Sequence, residues 1–347
     1  MSEIPTPTGK KTNRLGLELS VYRGSKTTLC AGCGHNAITE RIIDSFWELG
    51  ISPDQVLKLS GIGCSSKSPA YFLSQSHGFN SVHGRMPSIT TGAAIANRDL
   101  VYIGVSGDGD TASIGLGQFC HAIRRHLNMT YIVMNNGCYG LTKGQFSATN
   151  DKTSPSKKGE ANPFEAIDLC QLAIQLGAGF VARSFSGDKH QLIPLIKAAI
   201  GYKGFAFLDV VSPCVTFNNH PTSTKSFDYV REHNEAVNRL DVISGQMPIE
   251  VKYEPGTVEV VEQHDGSKIA LRKLAADYEV HDRTAALGFL QTHAAKGQIV
   301  TGLLFVEPES EDLHTHLRTS KTPLFALQDE DLVPGQATLD KINASLR

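Results

Sequence analysis

The chain has 347 residues, with 33 Lys+Arg against 35 Asp+Glu and a formal net charge of −2. That balance argues against a nucleic-acid-binding or membrane-surface protein, which carries a basic excess on one face. Hydrophobic residues are 40% and charged residues 20%, so the chain is globular rather than disordered, and its length suits one large domain or two smaller ones.

Residues 1–29 are polar with Pro and Gly and read as an irregular N-terminal arm. Helical spacing follows over 36–50 (NAITERIIDSFWELG), then an apolar run at 55–62 (QVLKLSGI) predicts a strand. A helix at 87–99, a strand at 100–107 (LVYIGVSG), a helix at 113–128 and a strand at 129–136 (MTYIVMNN) continue the alternation. The Ser-, Lys- and Pro-containing stretch 145–162 predicts a loop, long for a compact domain and therefore a functional candidate. Helices at 163–177 and 188–202 and a strand at 205–212 (FAFLDVVS) complete the set. The strands are continuously apolar rather than alternating, the pattern of a parallel sheet covered on both faces. The predicted class is therefore α/β, a doubly wound, mostly parallel sheet. Beyond about 215 charge increases, and VKYEPGTVEVVEQHDGSKIALRKL alternates like a hairpin turning at Asp265-Gly266. A main domain over 30–225 and a C-terminal extension over 226–347 are expected. There is no run of 18 apolar residues, and the polar N-terminus lacks a signal pattern, so the expectation is a cytoplasmic protein with no membrane contact.

Four predicted strands end in polar segments: GIGCSSK (61–67), GDGD (107–110), NNGCYG (135–140) and PC (213–214). In an open α/β sheet ligands bind outside the carboxyl ends of the strands. In GDGD, Gly107 and Gly109 let the backbone approach a phosphate, Asp108 supplies a hard oxygen, and the following helix offers N-terminal amides to an anion. Asn135 and Asn136 can add an amide oxygen to a magnesium ion shared with phosphates. GDG followed after a helix and a strand by Asn-Asn, with 28 residues from Asp108 to Asn136, resembles the thiamine-diphosphate signature. The resemblance implies that Asp108, the Asn136 side chain and the Cys138 carbonyl hold Mg²⁺. A dinucleotide site would want G-x-G-x-x-G, and GDGDTA lacks the third glycine.

Seven cysteines are too sparse for a disulfide scaffold. Cys30 and Cys33 form LCAGCGH, and Cys64 and Cys214 sit at strand ends on the same predicted edge. Four thiolates converging there suit zinc or an iron-sulfur cluster, and the spacing does not separate them. Cys120 and Cys170 lie in helical patterns and read as core; Cys138 sits in the diphosphate loop.

Taken together, YRG…TLCAGCGH (22–35), GIGCSSK, HGRMPSITTGAAIAN (83–97), GDGD, NNGCYGLTKGQ (135–145), VVSPC (210–214) and the stretch 264–314 resemble the beta subunit of the 2-oxoacid:ferredoxin oxidoreductases. The resemblance implies a thiamine-diphosphate and 4Fe-4S binding domain over 30–225, with Cys30, Cys33, Cys64 and Cys214 as cluster ligands. It further implies cofactor contacts from Gly107, Asp108, Gly109, Asp110, Asn136, Cys138, Gly140 and Leu141. Cys138 stands where the family commonly has an aliphatic residue; its carbonyl keeps the proposed role. No C-x-x-C-x-x-C run occurs, so electrons are expected to pass from one cluster to a separate ferredoxin. His83, Arg85, Lys67 and Lys143 are candidates to meet substrate, diphosphate or coenzyme A, and such cations suit the distal carboxylate of 2-oxoglutarate better than pyruvate. The glutamate that thiamine enzymes place at the aminopyrimidine, and the domain that closes over it, are expected on an alpha subunit of an alpha2beta2 complex, leaving the isolated chain inactive. The implied reaction is 2-oxoglutarate plus CoA to succinyl-CoA, CO2 and reduced ferredoxin, reversible as CO2 fixation. Alternatives are another 2-oxoacid, such as pyruvate, or a non-catalytic, metal-stabilised interaction subunit.

Overall fold

The computed structural model describes residues 11–156, 159–243, 258–262, 268–273, 278–333 and 335–346. In chain order the elements that build the site are α1 (Gly34–Leu49), β1 (Val56–Ser60), β2 (His77–Asn80), α2 (Met86–Ala96), β3 (Val101–Gly107), α3 (Leu116–Arg124), β4 (Met129–Asn135), β5 (Cys138–Tyr139) and β6 (Gln145–Phe146). They are followed by α4 (Leu169–Gln175), β7 (Phe180–Phe185), α5 (Lys189–Gly201), β8 (Phe205–Val211), α6 (Phe227–His233) and β9 (Asn234–Ala236). The C-terminal region adds β10 (Asn238–Ile243), β11 (Val258–Glu262), β12 (Lys268–Lys273), α7 (Arg283–Ala294) and β13 (Ile299–Val306).

The main sheet has the order β2-β1-β3-β4-β8-β7-β13-β9. From β2 to β7 every pairing is parallel. β13, from the C-terminal region, joins β7 antiparallel. The apolar strands β4 and β8 are buried along their whole length, as a sheet covered on both faces requires. Helix α1 turns Ile38, Ile42, Ile43 and Phe46 inward, one stripe at helical spacing. On the sheet, the Phe119 ring meets Phe207 edge-on at 5.0 Å and Tyr131 at 5.4 Å, a packing that adds to area burial.

After β1 the chain moves to β2 on one side and then returns to β3 on the other. The β1/β3 border is thus a topological switch point, where a crevice opens at the strand carboxyl ends. Four strands of this sheet escape the apolar-run reading, among them the short β9. β2 is exposed throughout, β7 (FVARSF) carries a buried arginine, and β13 lies in the charged C-terminal region. The helix expected at 113–128 is a π-helical turn, Gly109–Ile114, followed by α3; π turns concentrate at functional sites. The helix expected at 163–177 begins at 169, because the Asp168 side chain accepts the Cys170 and Gln171 amide hydrogens as its N-cap.

β10, β12 and β11 form a separate antiparallel sheet, while the Asp265-Gly266 turn lies outside the described residues. Among the described residues no helix is long and apolar enough to cross a membrane.

Candidate functional site

At the switch point a small crevice of about 70 Å³ is lined by Gly107, Asp108, Gly109, Asp110, Asn136, Cys138, Gly140 and Leu141, together with Cys64 and His83. All eight residues expected at the cofactor therefore meet at one place. Asp108 ends β3 and is 1% exposed. Its Oδ1 accepts the Asn136 backbone N–H at 3.1 Å, and its Oδ2 accepts the hydroxyls of Ser147 and Thr149. Burial pushes this carboxyl up, against those hydrogen bonds. Burial raises the Asp110 carboxyl as well, but its partners are different. It accepts the Gly84 N–H at 2.8 Å and the Ser106 hydroxyl at 3.0 Å, and so ties the His83-Gly84-Arg85 turn to β3. Gly84 has φ +67, and a Cβ there would meet the Gly115 backbone at 2.7 Å, so the turn needs glycine on both counts. Gly109 lies under the Tyr139 ring, which would be 2.5 Å from a Cβ, and the Tyr139 hydroxyl donates to the Gly109 carbonyl at 3.2 Å.

Asn136 is held by a residue that motif reading passes over. His35, buried at the start of α1, places Nδ1 2.5 Å from the Ser212 hydroxyl and Nε2 3.5 Å from Asn136 Nδ2. Burial pushes the imidazole down to about 4, so it is neutral at pH 7 and can accept from the Asn136 amide. That leaves Asn136 Oδ1 for the Cys138 N–H at 3.0 Å and for a cation. The local signal for His35 is its place in the segment CGH directly after Cys33.

The four expected cluster cysteines come from three segments. Cys33 caps α1, and the Gly34 N–H donates to the Pro213 carbonyl at 3.4 Å, which binds the C-x-x-C turn to the end of β8. The Thr216 hydroxyl donates to Cys30 Sγ at 3.7 Å. A Cβ on Gly140 would stand 3.5 Å from Cys64 Sγ and 3.8 Å from Cys214 Sγ, so the Gly140 backbone, which lines the crevice, lies close to both thiols. Burial first, and then the like charges of Cys214, Cys30 and Cys64, push the Cys33 thiol up to about 11. Cys214 is the opposite case: a hydrogen bond from Cys138, with help from the backbone N–H groups of Thr216, Phe217 and Asn218, brings its thiol down to about 6. N–H groups aimed at a thiolate are what a cluster ligand needs. Among the described residues no group of three or more His, Cys, Asp or Glu is gathered around a point for a single metal ion. The donor chemistry still fits both expected groups. A four-iron cluster spreads its thiolates wider than one ion does, and magnesium takes few protein oxygens when phosphates supply the rest.

Lys67, Arg85 and Lys143 are exposed and do not line the crevice, whereas His83 does. Lys143 has φ +80, strained for a non-glycine residue, at the turn of the β5–β6 hairpin beside the crevice residues Leu141 and Thr142. Cys170 is in the core; Cys120 is only partly covered. A larger cavity, about 420 Å³, lies behind the site between α4, β7, β8 and α7, and Asn135, Thr149, Arg183 and Asp209 line it. Over the site, the loop 145–162 is latched by Lys225, whose Nζ sits 2.8 Å from Asp151 Oδ1, and by Thr224, whose N–H donates to Asp151 at 2.8 Å.

Residues 61–210 match the family of thiamine pyrophosphate enzymes, C-terminal TPP binding domain. A Sulfolobus 2-oxoacid:ferredoxin oxidoreductase subunit beta is 38% identical over 226 residues, covering 65% of this chain and 72% of the relative. The 2-oxoglutarate synthase subunit KorB of Methanocaldococcus jannaschii is 41% identical over 192 residues, 54% of this chain and 69% of the relative. A solved 2-oxoglutarate:ferredoxin oxidoreductase from Magnetococcus marinus, with 2-oxoglutarate, coenzyme A and succinyl-CoA bound, superposes with a TM-score of 0.74 at 28% identity, covering 95% of this chain and 96% of that one. The parallel sheet with its switch-point crevice, the diphosphate-type loop and these relatives agree, and the chain belongs to the beta subunits of the 2-oxoacid:ferredoxin oxidoreductases, an oxidoreductase family.

Proposed function

We propose that this subunit serves a complex that oxidatively decarboxylates 2-oxoglutarate with coenzyme A to succinyl-CoA, CO2 and reduced ferredoxin, and that the same complex fixes CO2 when reduced ferredoxin is abundant. The observation that carries the reading is the convergence on either side of Gly140 of two donor sets: Asp108, Asn136 and the Cys138 carbonyl, and the thiols of Cys64 and Cys214 with Cys30 and Cys33 beyond. The first set would hold Mg²⁺ and with it thiamine diphosphate, and the second a 4Fe-4S cluster. When bound, thiamine diphosphate supplies the electron sink for decarboxylation and the cluster supplies one-electron transfer.

The chain's own residues position and exclude. Neutral His35 sets the Asn136 amide, the Tyr139 ring closes over the Gly109 backbone, and Asp110 anchors the turn that carries His83 and Arg85. Support for 2-oxoglutarate comes from the cations near the crevice mouth, Lys67, Arg85 and Lys143, which suit a second carboxylate, and from the names of relatives that act on it. Val82, Ile114 and Leu141 are 69%, 44% and 48% exposed. An apolar rim of this kind suits an alpha subunit in an alpha2beta2 assembly, which would add the missing glutamate and close the site.

The test is anaerobic co-expression with the alpha subunit, followed by methyl viologen reduction with 2-oxoglutarate, pyruvate and indolepyruvate compared. The expected result is fastest turnover of 2-oxoglutarate and none by this chain alone. A pyruvate rate well above the others would overturn the substrate, and full activity of the isolated chain would overturn the shared site. A colourless anaerobic preparation containing only zinc would overturn the cluster.

A further inference from the structure

We propose that Ser147 and Thr149 are positioning residues for the Asp108 carboxylate. The inference deepens the reading that Asp108 is a ligand of the divalent cation, and rests on it.

Each carboxylate oxygen accepts through about two lone pairs. On Asp108, Oδ2 receives the Ser147 and Thr149 hydroxyls, the latter at 2.8 Å, Oδ1 receives the Asn136 N–H at 3.1 Å, and the residue's own backbone N–H also faces the carboxylate. The two hydroxyls therefore occupy Oδ2, which leaves Oδ1 as the oxygen to face a cation. Donors on both oxygens also prevent the carboxylate from rotating. Thr149 Oγ1 also stands 2.9 Å from Asn135 Oδ1; the hydroxyl has one proton, and the charged Asp108 carboxylate is the stronger of its two acceptors. Which face the Asn135 amide shows is decided on its other side, where Nδ2 donates to Asp209 Oδ1 at 3.0 Å. Asp209 is locked in turn by Arg183 Nε at 3.1 Å, and Arg183 Nη2 reaches Asp168 at 2.6 Å. The chain of contacts runs from the cation site to the floor of the 420 Å³ cavity, and its members are buried except for the partly covered Asp168. Ser147 and Thr149 lie outside the Gly-Asp-Gly and Asn-Asn motifs. Hydrogen-bond partners of this kind orient a metal ligand, and losing one typically costs about 10–100-fold in metal affinity.

The experiment uses the assembled complex, stripped of divalent ions by chelation. Mn²⁺ is titrated in the presence of thiamine diphosphate, and free Mn²⁺ is read by electron paramagnetic resonance. Thr149→Val and Ser147→Ala should each weaken Mn²⁺ binding by about 10–100-fold, and Thr149→Ser, which keeps the hydroxyl, should restore near-wild-type binding. The Thr149 pair matters because valine preserves shape, so a folding defect would not be rescued selectively by serine. Wild-type Mn²⁺ affinity in Thr149→Val and Ser147→Ala, with affinity lost in Asp108→Ala, would overturn the positioning roles while leaving the ligand reading intact. Undiminished binding by Asp108→Ala would overturn both.

Discussion

Replacing Arg183 by methionine tests whether the buried charges behind the site carry the local fold. Arg183 is 9% exposed and Asp209 3%, and the guanidinium bridges Asp168 at 2.6 Å and Asp209 at 3.1 Å. Methionine keeps much of the side-chain length but leaves two carboxylates facing an apolar group. Breaking a buried pair from one side costs about 3–5 kcal/mol, which at a urea slope near 3 kcal/mol/M is a midpoint shift of about 1–2 M. The single tryptophan, Trp47, donates its indole N–H to the Leu17 carbonyl at 3.0 Å and supplies the fluorescence signal for urea unfolding of the chain. The pH dependence is more diagnostic. Burial raises Asp168, but the Arg183 charge and the Gln171 N–H outweigh it and hold the carboxyl below its ordinary value. Its stabilisation is thus present above the unfolded carboxylate pKa and is lost only as pH falls through the still lower folded value. Asp209 stays raised by burial despite Arg183, so its ionised form costs stability until pH falls through its folded pKa. Without Arg183 both carboxyls rise, and acidification from about pH 7 to about pH 5 should recover part of the loss. A deficit below about 1 kcal/mol, or one that does not shrink toward pH 5, would refute the buried-charge account.

That triad also marks where sequence reading stops. The strands β1, β3, β4 and β8 are legible because burial on both faces demands unbroken apolar runs. β7 hides because Arg183 and Ser184 interrupt its run, and Arg183 is tolerated only through partners 15 and 26 residues away that no local pattern announces. The site divides the same way. Gly107, Asp108, Gly109, Asn136 and the cysteines are rare types at constrained spacings, and the sheet topology carries them to one edge. Ser147 and Thr149 are ordinary loop residues in sequence, and they matter only because the β5–β6 hairpin folds back so that the loop following it lies over β3. The exposed β2 (HGFN) has no apolar run, since among the described residues its one ladder is to β1.

Three further outcomes follow from the same geometry. Gly109→Ala should abolish tight thiamine diphosphate binding in the complex, read by calorimetry, because the new methyl sits 2.5 Å from the Tyr139 ring and the ring must leave; unchanged affinity would show that Tyr139 moves freely. Cys138→Val should leave that affinity essentially unchanged, since the expected ligand is the backbone carbonyl, and a large loss would implicate the thiol itself. Lys225→Met should release the loop at 145–162. Lys225 is mostly buried against Asp151, whose carboxyl burial raises but Lys225 and Thr224 bring below its ordinary value, so removing the cation leaves a buried carboxylate with only the Thr224 hydroxyl and amide as donors. That carboxylate is a few residues from Ser147 and Thr149. Limited proteolysis of the complex should therefore cut within 145–162 faster in the variant, and bound thiamine diphosphate with Mg²⁺ should slow the cutting, because the two hydroxyls that grip Asp108 belong to the same segment. Equal cutting rates in wild type and variant would mean that the loop is held by its backbone contacts, such as the Ile167 N–H to the Ala148 carbonyl at 2.7 Å, and not by the ion pair.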